Sequence, residues 1–488
     1  MQKLSGVLLN YCIFIEMNKI GIKIYILLFL LAFQLFAQDD LKESVIKRSE
    51  FIKGVDLSIL LEIEEHGGIF KESGIPKDAL RIFKDHGINF VRLRLWHTPA
   101  NGYDNLDKTL LMARRIKTLG LKFLLDLHYS DTWADPSQQT KPAAWENLSF
   151  QALKDSVRQY TRNVITALKN QNTLPDIVQI GNEITCGMLW NDGRVCDQFN
   201  TPQQWAQLAE LINEGISGVN ESLELGDTVK IMIHIDRGGD NNGSKWFFDH
   251  LIAQNVDFDI IGLSYYPWWQ GTFSDLEFNT DDLAQRYRKE IILVETAYPW
   301  TLDWYDNTPN IVGDSSQLLP GYPATVEGQT DFLSDLINLV QNIPDNKGSG
   351  LFYWAPEWIS VPTLGSPWEN VTLFDFTGEL LNSISVFDSI PSGIQSHDGI
   401  SYSFNLYQNY PNPFNPKTLI NYSIPQADFV SLKVYDILGD EVVTLVNEYK
   451  TAGNYSIEFN GNNLSSGVFF YRIKTGNFFD TKKLILMR

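Results

Sequence analysis

Three cysteines in 488 residues are too few to staple a fold, so stability has to come from a large apolar core. Positive charge is also short: 39 Lys and Arg face 59 Asp and Glu, a formal charge of -20. That balance argues against nucleic acid or an anionic membrane surface as partner. No Cys/His cluster has zinc spacing. No glycine-rich phosphate turn follows the first strand-like run, where the chain reads Gly54-Val-Asp-Leu-Ser. Tryptophan is absent after Trp368, although thirteen lie between Trp96 and that point. What remains is an ordinary globular composition, 44% hydrophobic and 20% charged, long enough for more than one domain. The acidity is uneven, because residues 404–488 hold eight basic and seven acidic residues, a net of +1 (8 − 7).

The N-terminus reads as an export signal over residues 1–37. Met17-Asn-Lys-Ile-Gly-Ile-Lys23 is a basic start, with Met17 an alternative initiation point. Ile24 to Phe36 is an apolar stretch, and Ala37 a small residue at which to cleave. The stretch falls short of the roughly 20 residues of a spanning helix, so export is expected over a membrane anchor. Cys12 precedes the cleavage point. Cys186 and Cys196 remain, either as a disulfide or as two free thiols.

Residues 38–387 form the larger domain. Eight strand-like runs recur: Phe51–Asp56, Asn89–Leu95, Leu121–Leu127, Pro175–Gly181, Val229–Ile235, Asp259–Tyr265, Glu290–Glu295 and Gly350–Trp354. Amphipathic helical patterns lie between them, at Pro76–His86, Leu106–Leu119, Phe150–Lys169, Pro202–Gly218 and Gly328–Gln341. Strand and helix alternating eight times predict an α/β fold, a closed TIM (β/α)8 barrel; an open doubly wound sheet is the alternative.

In such a barrel, chemistry gathers at the C-terminal ends of the strands. Those ends carry Asp56, Arg92, Arg94, Asp126, His128, Asp131, Asn182, Glu183, His234, Asp236, Tyr265, Tyr266, Glu295 and Trp354. Ten tryptophans fall in the same loops: Trp96, Trp133, Trp145, Trp190, Trp268, Trp269, Trp300, Trp304, Trp354 and Trp358. Aromatic faces can cover the C–H faces of sugar rings while Asn, Asp, His and Arg bind hydroxyls.

Glu183 and Glu295 each follow a short apolar run where burial leaves no reason for an acid. Two carboxylates in a sugar-lined cleft point to glycoside hydrolysis, one protonating the leaving oxygen and the other attacking carbon or activating water. Arg92 or Arg94 beside Glu295 would keep it ionised, and Glu183 would be the proton donor. The bland reading makes both glutamates salt-bridge partners of the two arginines.

Several motifs together resemble glycoside hydrolase family 53, the arabinogalactan endo-β-1,4-galactanases, over residues 50–387. They are Val91-Arg-Leu-Arg-Leu-Trp96, Asp126-Leu-His-Tyr-Ser-Asp-Thr-Trp-Ala-Asp-Pro136, Ile180-Gly-Asn-Glu183, Ile231-Met-Ile-His-Ile-Asp236, Ser264-Tyr-Tyr-Pro267, Val294-Glu-Thr296 and Gly350-Leu-Phe-Tyr-Trp354. The resemblance implies a retaining mechanism with Glu183 as acid/base and Glu295 as nucleophile. The implied substrate is the β-1,4-galactan of type I arabinogalactan in pectin. Asp56, Arg92, Arg94, His128, Asp131, Trp133, Asn182, His234, Asp236, Tyr266 and Trp354 are expected to contact substrate. No cofactor is required. Some bacterial members bind calcium after the seventh strand; here Asp303, Asp306 and Asn310 are candidate ligands for a structural calcium, while Trp304 and Thr308 stand where ligands belong. The chain is expected to be a monomer. A mannanase or xylanase of the same barrel class, or a non-catalytic glycan-binding barrel, are the other readings.

Residues 388–403 read as a linker. Residues 404–488 show short alternating runs, Leu419–Ile424, Val430–Ile437, Tyr455–Phe459 and Val468–Lys474, which predict a small Ig-like β-sandwich. Tyr410-Pro-Asn-Pro-Phe-Asn-Pro416, Val434-Tyr-Asp-Ile-Leu-Gly439, Leu464-Ser-Ser-Gly-Val-Phe-Phe-Tyr471 and Lys482-Lys483 resemble a type A sorting domain. That family hands proteins to the type IX secretion machinery, which implies a secreted or cell-surface protein passing through the periplasm. A carbohydrate-binding module is the alternative, but no tryptophan is present to build a sugar platform.

Overall fold

The computed structural model describes residues 50–388 and, within 405–487, all but 410, 425–427, 451–452 and 477. The export signal and the linker expected from the sequence lie outside the described residues. The chain divides into two compact units, residues 1–394 and 395–488.

In the first unit eight parallel strands close into a barrel. They are β1 (Ile52–Asp56), β2 (Phe90–Leu95), β3 (Lys122–Leu127), β4 (Ile177–Ile180), β5 (Lys230–Ile235), β6 (Ile260–Ser264), β7 (Glu290–Thr296) and β8 (Gly348–Tyr353). Each pairs with its chain neighbours, and β8 closes on β1 through Ile52 opposite Gly350. The open-sheet alternative is therefore excluded.

The longer helices are α1 (Ala79–Asp85), α2 (Leu106–Thr118), α3 (Phe150–Asn170), α4 (Pro202–Asn220), α5 (Asn241–Ala253), α6 (Phe273–Tyr287) and α7 (Val326–Gln341), with short helical turns at Leu60–Glu65 and Pro267–Gln270. Their starts are written in side chains that accept otherwise orphaned N–H groups: Asn105 from Lys108, Ser149 from Ala152, Thr201 from Gln204 and Thr325 from Gly328. The expected start of α1 at Pro76 is corrected. Asp78 takes the Arg81 N–H and caps the helix there, while Pro76 sits in a two-residue strand. A 3₁₀ segment, Asn382–Phe387, stands in the place of an eighth helix, and Lys53 Nζ donates to its last carbonyl at 3.1 Å.

Side chains alternate between lumen and helices along each strand. The N-terminal end of the lumen is filled by Ile52, Phe90, Leu124, Ile177, Met232, Ile260, Ile292, Val294 and Phe352, a buried cluster of its own. Advancing by the strand period changes the chemistry: Phe90 leads to Arg92, Leu124 to Asp126, Ile177 to Gln179 and Met232 to His234. The barrel is an apolar plug with a polar floor laid on it.

The second unit has two antiparallel sheets. One runs β9 (Asn405–Leu406), β10 (Lys417–Ile424), β13 (Gly453–Asn460); the other runs β12 (Glu441–Lys450), β11 (Asp428–Tyr435), β14 (Gly467–Thr475), β15 (Phe478–Leu486). Their core includes Ile420, Tyr422, Val430, Leu432, Val434, Ile473 and Leu484. The Tyr471 hydroxyl, buried, accepts from Asn409 N at 2.7 Å and donates to Tyr407 O at 2.6 Å.

A Cβ on Gly54 would lie 2.3 Å from the Phe352 ring in the lumen. Gly54→Ala is expected to destabilise the barrel by about 1–3 kcal/mol, read by urea unfolding. An unchanged midpoint would show that the plug is looser than this contact implies.

Candidate active site

Arg92 sits on β2 with its side chain fully buried, and its guanidinium fans into four acceptors. Nη1 donates to Asp56 Oδ2 at 3.0 Å and Glu295 Oε1 at 2.8 Å; Nη2 donates to Asp126 Oδ2 at 2.7 Å and Asn182 Oδ1 at 2.8 Å. Burial opposes its charge, but Asp126, Glu295 and Asp56 outweigh that and hold its pKa above the usual value.

Glu295 arrives at this floor through an irregularity. Ile292 and Val294 both face the lumen cluster, so strict alternation would send Glu295 outward. The register between β6 and β7 shifts there, pairing Leu263 with Leu293 but Ser264 with Glu295. The bulge turns the carboxylate inward. Its Oε2 accepts from the Tyr266 hydroxyl at 3.1 Å. Burial, joined by the charges of Asp56 and Asp126, holds its pKa above the usual carboxylate value, and Arg92 offsets only part of that rise.

Glu183 follows β4 after Gly181 and Asn182, in a left-handed conformation at φ 46°, ψ 49°. Ser264 Oγ lies 2.6 Å from its Oε1. Because Ser264 also pairs in register with Glu295, the two glutamates meet across one residue. Burial, then the charges of Glu295 and Asp236, push the Glu183 pKa well above the carboxylate range. Glu183 lacks the direct guanidinium bond that Glu295 has.

Arg92, Asn182, Asp56, Glu295 and Tyr266 therefore belong to one network, while other expected contacts have different places. His234 is fully buried, with Nδ1 2.9 Å from Asn182 Oδ1 and Nε2 2.9 Å from Ser264 Oγ, so it underlies Glu183. His128 is likewise buried, bonded to Asp126 at 2.9 Å and accepting from Trp96 Nε1 at 3.1 Å. Arg94 binds Asp104 at 3.0 Å beneath the Trp133 ring. Asp131 takes the N–H groups of Thr98 and Ala143 and fastens two loops. Asp236 accepts from the Thr185 hydroxyl at 2.5 Å. Gln179 and Ser264, both buried, were not singled out in the sequence. Inward parity on β4 and β6 is the signal that points to them.

Aromatic rings make a continuous band: Trp96 to Trp133 (5.4 Å between centroids), Trp133 to Trp354 (6.1 Å), Trp354 to Trp368 (6.2 Å), then Tyr266 (5.5 Å) and Trp268 (5.3 Å). Trp354 lies over Arg92 at 5.6 Å. Trp368, outside the expected ten, is the link. Trp145 is instead core, packed on His97, Tyr129 and Tyr160.

The residues expected to hold calcium, Asp303, Asp306 and Asn310, share one loop after β7. Asp306 spends its oxygens on the N–H groups of Thr308 and Ser366, and Asn310 donates to the Asp303 carbonyl at 3.2 Å. No group of three His, Cys, Asp or Glu able to hold a metal occurs among the described residues. Asn310 Oδ1 is buried without a hydrogen-bond partner, an oxygen of the kind calcium takes, whereas both Asp306 oxygens are already engaged.

Residues 52–387 match the family model "Glycosyl hydrolase family 53". The chain belongs to glycosyl hydrolase family 53. It is 37% identical over 349 residues to an arabinogalactan endo-beta-1,4-galactanase of Thermothelomyces thermophilus, covering 69% of this chain and 99% of that one. A protein of the same description from Cellvibrio japonicus is 35% identical over 342 residues, covering 68% and 89%. The GH53 catalytic domain of Ignisphaera aggregans is 39% identical with a TM-score of 0.65, covering 70% and 96%. Residues 408–487 match a secretion system C-terminal sorting domain, which directs this glycoside hydrolase out of the cell or to its surface by type IX secretion.

Cys186 and Cys196 form a disulfide, closing the loop that leaves Glu183. Cys186→Ser with Cys196→Ser is expected to cost about 2–4 kcal/mol, seen as a Tm lower by several degrees. Arg92→Met should be harsher, since the carboxylates it holds lose their counter-ion: about 3–5 kcal/mol of stability together with nearly all activity. Near-native turnover by that variant would refute its place at the centre of the site.

Proposed function

We propose that this protein is an endo-β-1,4-galactanase that cuts the galactan backbone of type I arabinogalactan by retaining double displacement. Glu183 gives its proton to the glycosidic oxygen while the Glu295 carboxylate attacks the anomeric carbon, and the C–O bond to the leaving chain breaks. Glu183, now anionic, takes a proton from water as that water attacks the glycosyl–Glu295 ester, and Glu295 leaves as carboxylate. The aromatic band would carry the sugar faces, and Asn182 the hydroxyl beside the reacting carbon.

The observation that carries this reading is the unequal treatment of two adjacent glutamates. Arg92 and Tyr266 both bond Glu295, favouring its ionised form, whereas Glu183 sits beside that negative charge without a guanidinium. The galactanase relatives supply the substrate. A mannanase or xylanase would share the carboxylates, so the test needs pectic galactan, mannan and xylan side by side.

Reducing-sugar release from galactan alone is expected. Glu295→Gln should bind galactan and turn over none of it. Glu183→Ala should lose about 10²–10⁴-fold on galactan, yet retain glycosylation on an aryl galactoside whose leaving group needs no acid, with azide restoring turnover. Activity requires Glu183 protonated and Glu295 ionised. Rate should thus fall as pH rises through the Glu183 pKa, and fall again as pH drops through that of Glu295. Undiminished hydrolysis by Glu295→Gln would remove the assigned nucleophile.

A further inference from the structure

Beneath Glu183 runs a chain of contacts whose proton direction the geometry fixes. The Asn182 amide is oriented without ambiguity: its Oδ1 accepts from Arg92, and its Nδ2 donates to the Ala134 carbonyl at 2.9 Å. His234 Nδ1 stands 2.9 Å from that obligate acceptor, so Nδ1 carries the hydrogen. Two other groups approach Nδ1 less closely. Glu183 N is 3.4 Å away, and Gln179 Nε2 at 3.2 Å has nearer acceptors in Asp126 Oδ1 at 2.6 Å and Gly181 O at 3.1 Å.

A neutral imidazole protonated at Nδ1 has only a lone pair at Nε2. Ser264 Oγ, 2.9 Å from Nε2, must therefore give its hydrogen to His234. The remaining contact, 2.6 Å between Ser264 Oγ and Glu183 Oε1, then needs a hydrogen from the carboxyl. We propose that Ser264 and His234 are positioning residues forming an acceptor-ended relay, Glu183 O–H to Ser264 O–H to His234 Nε2, that holds the catalytic acid protonated. The inference rests on Glu183 being that acid.

The relay penalises the anion. Once the proton has passed to the leaving oxygen, Ser264 can turn its own hydrogen onto Oε1, but His234 Nε2 then loses its donor. Moving the imidazole hydrogen to Nε2 instead would break the bond to Asn182. The first leaves the buried Nε2 acceptor unmet, and the second sets the Nδ1 lone pair against Asn182 Oδ1 at 2.9 Å, with only the longer approaches of Glu183 N and Gln179 Nε2 to replace the lost bond. The other titratable and charged groups facing these residues stay in place: Arg92 on β2, His128 after β3, Asp236 after β5, Tyr266 after β6 and Glu295 on β7.

The test is the pH dependence of kcat/KM on pectic galactan for the full chain and for Ser264→Ala. Loss of the relay should move the alkaline limb to lower pH by about one unit, the size of one lost buried hydrogen bond. Ser264→Thr, which keeps the hydroxyl, should restore the limb. If Ser264 were simply a donor to the carboxylate, Ser264→Ala would move the limb to higher pH. That outcome, or an unmoved limb, overturns the proposal. Should Ser264→Ala be too unstable to assay, His234→Phe, which removes the terminal acceptor while retaining an aromatic ring, carries the same expectation and the same refutation. Glu183→Gln separates the underlying assignment: if it keeps galactan turnover with the alkaline limb intact, Glu183 is not the acid at all.

Discussion

One buried guanidinium organises the barrel floor. Arg92 bonds three carboxylates, Asp56, Asp126 and Glu295, and a fourth, Glu183, lies one side chain beyond. If all four were ionised, a single positive charge would face four negative ones inside protein, a net of −3. A buried cluster relieves such an excess by keeping a proton. Burial and the neighbouring carboxylates favour that proton on Glu183, the carboxyl Arg92 does not bond. On the proposed assignment, acid and nucleophile arise from one charge imbalance, which the Ser264–His234 relay then reinforces.

Charge cannot be buried without a scaffold that leaves no freedom to escape. The apolar layer from Ile52 round to Phe352 seals the floor from below, and the aromatic band covers it from above. Between them the polar side chains are tied mainly to one another. Gln179 joins Asp126 to the Gly181 carbonyl, and Gln139 donates to the Asn182 carbonyl at 2.8 Å. Each bond fixes a side chain that would otherwise need water.

Much of this was legible in the sequence, because a parallel barrel converts strand order directly into position. The eight apolar runs, the acids that end them and the tryptophan-rich loops all follow from counting along the chain. What could not be read was anything set by a departure from regular geometry. Glu295 was legible as an acid ending an apolar run, but the bulge on β7 that turns it inward was not. His234 ends a strand as the pattern predicts, but its bonds to Asn182 and Ser264 beneath Glu183 follow from burial depth, which the pattern does not give. Trp145 followed the rim pattern but closed into core. The second unit was readable for the same reason as the barrel: alternation places Val430, Leu432 and Val434 on one face of β11.

The strain at Glu183 belongs to the same economy. A left-handed conformation at a non-glycine residue costs of order 1–3 kcal/mol and persists only where its surroundings over-determine it. Here they do so from both sides. Gly181 turns first, at φ 79°, and the Cys186–Cys196 disulfide anchors the chain three residues beyond the glutamate. An extended continuation of β4 would project Asn182 and Glu183 to opposite faces. The turn brings both to the lumen, Asn182 onto Arg92 and His234, Glu183 onto Ser264. That double placement is what makes the proton on Glu183 subject to the same imidazole that Asn182 orients.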